Sequence, residues 1–356
     1  MYYRGMGSTS VDLGFIETDY ESWEVESRHF PSKVGGKPAW LDLKHLPSPD
    51  TIKCPHCQQP RVFLLQVYAP DNNASDAFHR SIFIFICKKD SCWTQTPAPI
   101  LVLRSQLGRD NPYYPYDPPQ DGPEWRSDLV VGLQCPVCGV CGARGDLRCG
   151  RCRVASYCSQ FCQKLDWKSG HKNTCQEGGK YQPSNVSWVL KEGLLEMEEE
   201  PDKDEKDPKD DMYKDMVDNS IATGGNNMEV GDEEWEEIER GQKEDKFAEK
   251  FRKRLRRCPD QVIRYDRRGE PLLCSSTPLA APPPCSGCGG PRSFEFQVMP
   301  QLLSQLQLGS DTCEVGGVDW GSLHVYTCDQ SCHVSEGYIA EYVQLQQFDL
   351  TNIPGT

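Results

Sequence analysis

Apolar residues along this chain come in short bursts rather than long runs. Residues 62–68 (VFLLQVY) and 82–87 (IFIFIC) are rich in β-branched and aromatic side chains, a composition that favours strands over helices. The stretch 81–87 is the longest apolar segment and is only strand-length, well short of the roughly 18 residues that a membrane span needs. Phe247, Phe251 and Leu255 recur at i, i+4 and i+8 with basic residues between them, so the period predicts an amphipathic helix over 243–257. Residues 109–124 are proline-rich and read as a loop or linker. Residues 192–245 have few apolar positions and no period, which predicts a disordered linker.

A repeat underlies this layout. Residues 54–67 share Cys, Cys, Pro, Arg, Phe, Gln and Val with residues 285–298, all at the single offset 285 − 54 = 231. Each copy continues into a strand that ends in a second cysteine pair, Cys87/Cys92 in the first and Cys328/Cys332 in the second. The pattern predicts a mainly β protein with two related antiparallel sheet modules. One lies within residues 1–125, and the other, with the helix before it, within 246–356. Whether the two pack together is left open. The repeated sheets are expected to add a strand to a client or to clasp an extended segment of it.

Charge sharpens the division. The 356 residues carry a net charge of −14, and residues 192–245 hold 22 acids against 6 bases, a net of −16. The rest is therefore near neutral, and one segment carries the acidity. Such a segment repels nucleic acid and attracts basic proteins, so nucleic acid is not expected as the primary ligand. The exception is the basic run Arg252, Lys253, Arg254, Arg256 and Arg257, readable as a targeting signal or as the solvated face of the helix.

Nineteen cysteines then decide the chemistry. No apolar leader precedes them at the N-terminus, so a reducing compartment is expected, where clustered cysteines are metal ligands rather than disulfides. Zinc takes four thiolate or imidazole ligands, and a C-x2-C knuckle supplies two from one turn. Cys54, Cys57, Cys87 and Cys92 make one candidate set, and Cys285, Cys288, Cys328 and Cys332 make its repeat; buried free thiols at strand ends are the ordinary alternative. Between them, residues 135–175 offer eight ligands: Cys138, Cys141, Cys149, Cys152, Cys158, Cys162, His171 and Cys175. Eight ligands suit two zinc ions. The x3 spacings put Cys158/Cys162 and His171/Cys175 on helix faces, with Ser159 placed to cap. Cys135 with Cys138 is an alternative first pair. Cys135, Cys258, Cys274 and Cys313 otherwise lack a partner pattern and read as plain thiols, and His56 and His79 as structural or surface residues. No HExxH, P-loop or GxSxG motif is present, and four-ligand zinc sites leave no open position for water, so a non-enzyme is expected.

The spacing C-x2-C-x7-C-x2-C-x5-C-x3-C-x8-H-x3-C, with Tyr157, Gln163 and Trp167, resembles the MYND zinc finger. That resemblance implies cross-bracing: Cys138, Cys141, Cys158 and Cys162 around one zinc, and Cys149, Cys152, His171 and Cys175 around the other. It also implies a shallow groove for short proline-containing peptides, lined by Gln163 and Trp167. Packing of the finger's own small core is an equal reading for Trp167. Beyond the finger, Phe30–Gly36, Pro38–Leu41, Phe63–Pro70, Asp76–Arg80, Phe294–Leu303 and Asp319–Gly321 resemble the programmed cell death protein 2 family. One departure is Cys162, where some relatives carry histidine; both ligate zinc. The resemblance implies a nuclear and cytoplasmic protein that chaperones a basic protein of the small ribosomal subunit, supports production of that subunit, and bears on proliferation, stem-cell maintenance and apoptosis. A DNA-binding regulator and a corepressor working through the finger groove are the alternative functions.

Overall fold

The computed structural model describes residues 10–176, 179–184, 186–201, 246–308, 318–333 and 337–348. The fold is mainly β, as the sequence predicts. Twelve strands are described: β1 (Asp12–Glu17), β2 (Lys33–Val34), β3 (Val62–Tyr68), β4 (His79–Ile86), β5 (Ile100–Leu107), β6 (Leu147–Arg148), β7 (Ser156–Tyr157), β8 (Gly193–Glu199), β9 (Ile263–Tyr265), β10 (Arg292–Val298), β11 (Ser322–Cys328) and β12 (Ile339–Gln346). Ten of them close one antiparallel barrel in the order β1-β8-β2-β3-β4-β5-β12-β11-β10-β9, and β6 pairs with β7 inside the finger.

The two repeats thus form halves of a single barrel. β2-β3-β4-β5 and β9-β10-β11-β12 meet at the β5–β12 seam, where Ile339 lies opposite Arg104. Each half carries a register shift at the same place in the repeat, between Phe63 and Leu65 on β3 and between Phe294 and Phe296 on β10. A bulge conserved between halves bends and twists both sheets alike, which helps them curl toward closure. The other seam exchanges strands. β1, which precedes the first half, pairs with β9 of the second, with Leu13 opposite Arg264. β8, which precedes the second half, pairs with β2 of the first, with Leu194 opposite Lys33. β1 and β8 then pair with each other from Asp12↔Glu199 to Glu17↔Leu194. A closed barrel presents no free sheet edge, so the expectation that an edge adds a strand to a partner is corrected.

Two further expectations change. Residues 193–199 belong to a barrel strand, so the acidic linker cannot begin at 192, and the rest of it, 202–245, lies outside the described residues. The amphipathic helix is Lys246–Leu255, with Phe251 fully buried but Phe247 44 % exposed. Glu200, just past β8, pairs with Arg254 of that helix at 2.7 Å and with Arg264 at 2.9 Å, so part of the basic run ties the helix to the barrel.

Side chains alternate across the wall as the two-residue strand period requires. On β4, Ile82, Ile84 and Ile86 join the barrel interior, while Phe83 and Phe85 join an outer cluster with Phe30, Trp40, Tyr113 and Tyr114. Inside, Arg80 donates two hydrogen bonds to Glu295 at 2.7 and 2.8 Å, joining β4 of one half to β10 of the other. Outside, the finger docks on the first half: Trp40 Nε1 donates to the Gly142 carbonyl and Lys37 Nζ to the Gly139 carbonyl, each at 2.7 Å. No helix among the described residues is long and apolar enough to cross a membrane.

Candidate metal centres

Each C-x2-C pair sits in a tight turn of one design. The first cysteine donates its N–H to the carbonyl five residues on and accepts from the N–H four residues on: Cys54 with Gln59 and Gln58, Cys138 with Ala143 and Gly142, Cys149 with Ala155 and Arg153, and Cys285 with Gly290 and Gly289, the third knuckle reaching one residue further for its acceptor. The residue after the second cysteine is left-handed in all four, with φ of 59° at Gln58, 74° at Gly142, 61° at Arg153 and 72° at Gly289. Holding Gln and Arg in that region strains the backbone by about 1 kcal/mol, so the turn geometry prevails over local preference there.

The knuckles gather into four clusters, in each of which the ligand atoms all lie within 4.8 Å of one another. The clusters are Cys54/Cys57/Cys87/Cys92, Cys138/Cys141/Cys158/Cys162, Cys149/Cys152/His171/Cys175 and Cys285/Cys288/Cys328/Cys332. Representative separations are 3.6 Å for Cys57–Cys87, 3.5 Å for Cys141–Cys158, 3.7 Å for Cys149–Cys175 and 3.7 Å for Cys285–Cys332. Cys152 Sγ and His171 Nε2 are 3.6 Å apart. A tetrahedron with Zn–S bonds of ~2.3 Å has edges of ~3.8 Å, so the donor sets suit zinc in type, number and spacing. Cys135 stands outside the clusters, which removes the alternative first pair, and Cys313 lies outside the described residues.

Electrostatics prepares one thiolate per knuckle. Burial works against charge on Cys54, but the N–H groups of Cys57 and His56 bring its thiol down to about 7. Cys149, opposed by burial and aided by the Cys152 N–H and His171, falls to about 6. The later members rise instead, Cys175 to about 11 and Cys332 to about 12, with burial the leading cause. A divalent cation reverses that preference by stabilising every thiolate in the set.

The two outer clusters lie at opposite ends of the barrel. Cys87 follows the end of β4 at Ile86, and Cys328 ends β11 where it pairs with Arg292 at the other rim. Partners beyond the ligand set come from both halves. Arg104 of β5 donates to the Cys332 carbonyl at 3.0 Å, and Glu341 Oε1 accepts from Arg104 and from the Cys328 N–H. Sequence reasoning missed Arg104 and Glu341, because they lie outside both repeats and have no cysteine spacing to mark them.

In the finger, Ser159 caps the helix Gln160–Asp166 by accepting from the Cys162 N–H at 3.3 Å. Asp166 is buried and accepts from Tyr157 and Tyr181 hydroxyls, which braces the helix. Gln163 and Trp167 line one open groove of ≈ 350 Å³ with Cys149, Gly150, Arg151, Lys164 and Lys168. Trp167 also packs edge-on against His171 at 5.9 Å, as the packing reading of it expects. Of the other candidates, His56 bonds the Pro97 carbonyl, His79 is buried against Tyr68 and Phe30, and Cys274 is buried beside Gln346.

Knuckles cross-braced in this way, set on a closed β-barrel, define a zinc-finger protein of the MYND class. Residues 135–175 match the MYND finger, residues 10–121 the N-terminal domain of programmed cell death protein 2 and residues 245–347 its C-terminal domain. The chain belongs to the programmed cell death protein 2 family. It is 39 % identical to programmed cell death protein 2 of Bos taurus, over 96 % of this chain and 97 % of the relative. Identity to the Mus musculus protein is 38 %, over 97 % and 98 %. The Homo sapiens programmed cell death protein 2-like protein is 28 % identical over 85 % of each chain. No solved structure matches.

Proposed function

We propose that this protein is a non-catalytic, zinc-dependent chaperone and adaptor, present in cytoplasm and nucleus, that holds a basic protein of the small ribosomal subunit and so supports production of that subunit. The observation that carries this reading is acidity concentrated where the barrel wall gives way to chain. Glu196 and Glu198 are exposed on β8 and form no ion pair among the described residues. Of the 22 acids in 192–245, five precede residue 202, leaving 17 acids against 6 bases in 202–245. A basic client insoluble without RNA is attracted and shielded by such a surface. The zinc clusters hold the barrel and finger in shape, since closed four-ligand sites supply folding energy rather than a reactive water. The finger groove, walled by Trp167 and Gln163, serves as a second docking point for proline-containing peptides.

The test is co-purification of the intact protein and of a form lacking 202–245, which leaves β8 in place. A basic small-subunit protein should accompany the intact chain at moderate salt and be depleted from the shortened one. If neither form retains a ribosomal protein, the reading fails.

A further inference from the structure

The finger and the rest of the chain are oppositely charged. Residues 135–175 contain Arg144, Arg148, Arg151, Arg153, Lys164, Lys168 and Lys172 against only Asp146 and Asp166, a net of 7 − 2 = +5, on a chain of net −14. Both carboxylates are engaged. Asp146 pairs with Arg144 at 3.0 Å. Asp166 is fully buried and held by Tyr157, Tyr181 and the Ser184 N–H. The other six cations are exposed, and none forms an ion pair among the described residues.

Three of the six, Arg151, Lys164 and Lys168, line the groove that holds Trp167 and Gln163, and no carboxylate lines it. The floor combines the Trp167 ring with an open strip at Gly150, where an added Cβ would meet nothing within 4 Å. The Gln163 side-chain amide makes no hydrogen bond among the described residues and is free to bond a peptide backbone. We infer that this groove takes an acidic segment of a partner protein, with an apolar side chain on Trp167 and carboxylates reaching Arg151, Lys164 and Lys168. This rests on the reading of the groove as a peptide site and names the chemistry of its ligand. It also assigns the two partners to different surfaces. A basic client is repelled by the finger and belongs on the acidic side, whereas the finger recruits an acidic partner. A protein segment is favoured over RNA because a single, partly buried aromatic ring makes a poor stacking platform for successive bases.

The test uses the full chain, zinc-loaded, and fluorescence anisotropy with three labelled peptides, each with a Pro-Pro-Leu centre flanked by two Glu, two Ser or two Lys on either side. A labelled ten-nucleotide polyuridylate is the fourth probe. The Glu peptide should bind roughly tenfold more tightly than the Ser peptide at low salt, and the gap should narrow as salt screens the charges. K164E combined with K168E should abolish that preference while native mass spectrometry shows unchanged zinc content. Equal binding of the Glu and Ser peptides overturns the acidic preference but leaves the groove a peptide site. Binding of none of the peptides overturns both. Tighter binding of polyuridylate than of the Glu peptide, lost in the same double variant, assigns the basic face to RNA instead and overturns the inference.

Discussion

Gln66 and Gln297 occupy the same position in the two repeats and do the same work in each half of the barrel. Gln66 accepts from the Ala39 N–H at 2.9 Å and donates to the Ala39 carbonyl at 3.2 Å. Gln297 accepts from the Leu272 N–H at 2.7 Å and donates to the Leu272 carbonyl at 3.1 Å. Each amide thus clasps both backbone groups of one residue in the irregular segment that crosses the outer face of its sheet. In the first half that segment carries Lys37 and Trp40, which hold the finger.

Replacing either glutamine by leucine should strip two backbone groups of their partners, buried ones at Ala39 and half-buried ones at Leu272. An unsatisfied buried donor or acceptor costs about 1–3 kcal/mol, so Q66L and Q297L should each destabilise by about 2–4 kcal/mol in urea unfolding. Gln66 also donates to the Pro31 carbonyl at 3.0 Å, which places Q66L at the upper end. A change below 0.5 kcal/mol in both variants would show that the clasp contributes nothing.

The four clusters differ in access, which orders their response to a chelator. Cys288 is exposed and Cys332 half-buried, whereas every ligand of Cys138/Cys141/Cys158/Cys162 is buried. Under a strong chelator, thiol alkylation mapped by mass spectrometry should label Cys285/Cys288/Cys328/Cys332 first and the buried finger set last. A protein loaded with zinc should show four ions in native mass spectrometry, and C288S should lower the count by one.

The buried Arg80–Glu295 pair should be indispensable once formed. Removing one partner leaves the other charged and unpaired, so R80M should cost about 3–5 kcal/mol. Burial alone pushes the Glu295 carboxyl up, but Arg80 and Arg267 with the Thr327 hydroxyl hold it down to about 2. A carboxylate depressed on folding stabilises above its unfolded range near 4.3 and loses that contribution as pH falls toward 2. Urea unfolding of the intact protein should therefore weaken across that window. In R80M the slope there should flatten.

Two buried histidines act in a higher window. His79 is held down to about 4 by burial and then by Arg109, and His324 to about 4 by burial. The unfolded chain takes up protons near pH 6.5 that the folded one refuses, so stability is complete above pH 6.5 and declines toward pH 4. H79F keeps the ring stack on Phe30 and should reduce that decline, measured as the urea midpoint against pH.

Trp167 separates docking from folding. W167A should remove peptide binding at the groove and leave the zinc content of the finger unchanged. Loss of zinc in W167A would mean that its edge contact with His171 holds the metal site together.

Much of this protein is settled by local sequence. A knuckle is closed by hydrogen bonds between residues four to six apart, so C-x2-C spacing alone marks Cys54, Cys138, Cys149 and Cys285 as turn and ligand together. The strands of both halves announce themselves by β-branched and aromatic bursts, and the offset of 231 residues declares the halves alike. What tertiary structure decided is how the halves join. β2 and β9 are two and three residues long, too short to specify a partner by their own pattern. Their neighbours are fixed only when β1 and β8 cross over and satisfy the open edges of the opposite half. The acidic run beginning at Glu192 reads as solvated chain, yet residues 193–199 are drawn into the wall, because unpaired backbone groups at a barrel seam must find partners whatever side chains they carry. Arg104 and Glu341 likewise meet only through the β5–β12 seam, and no spacing in the chain brings them together.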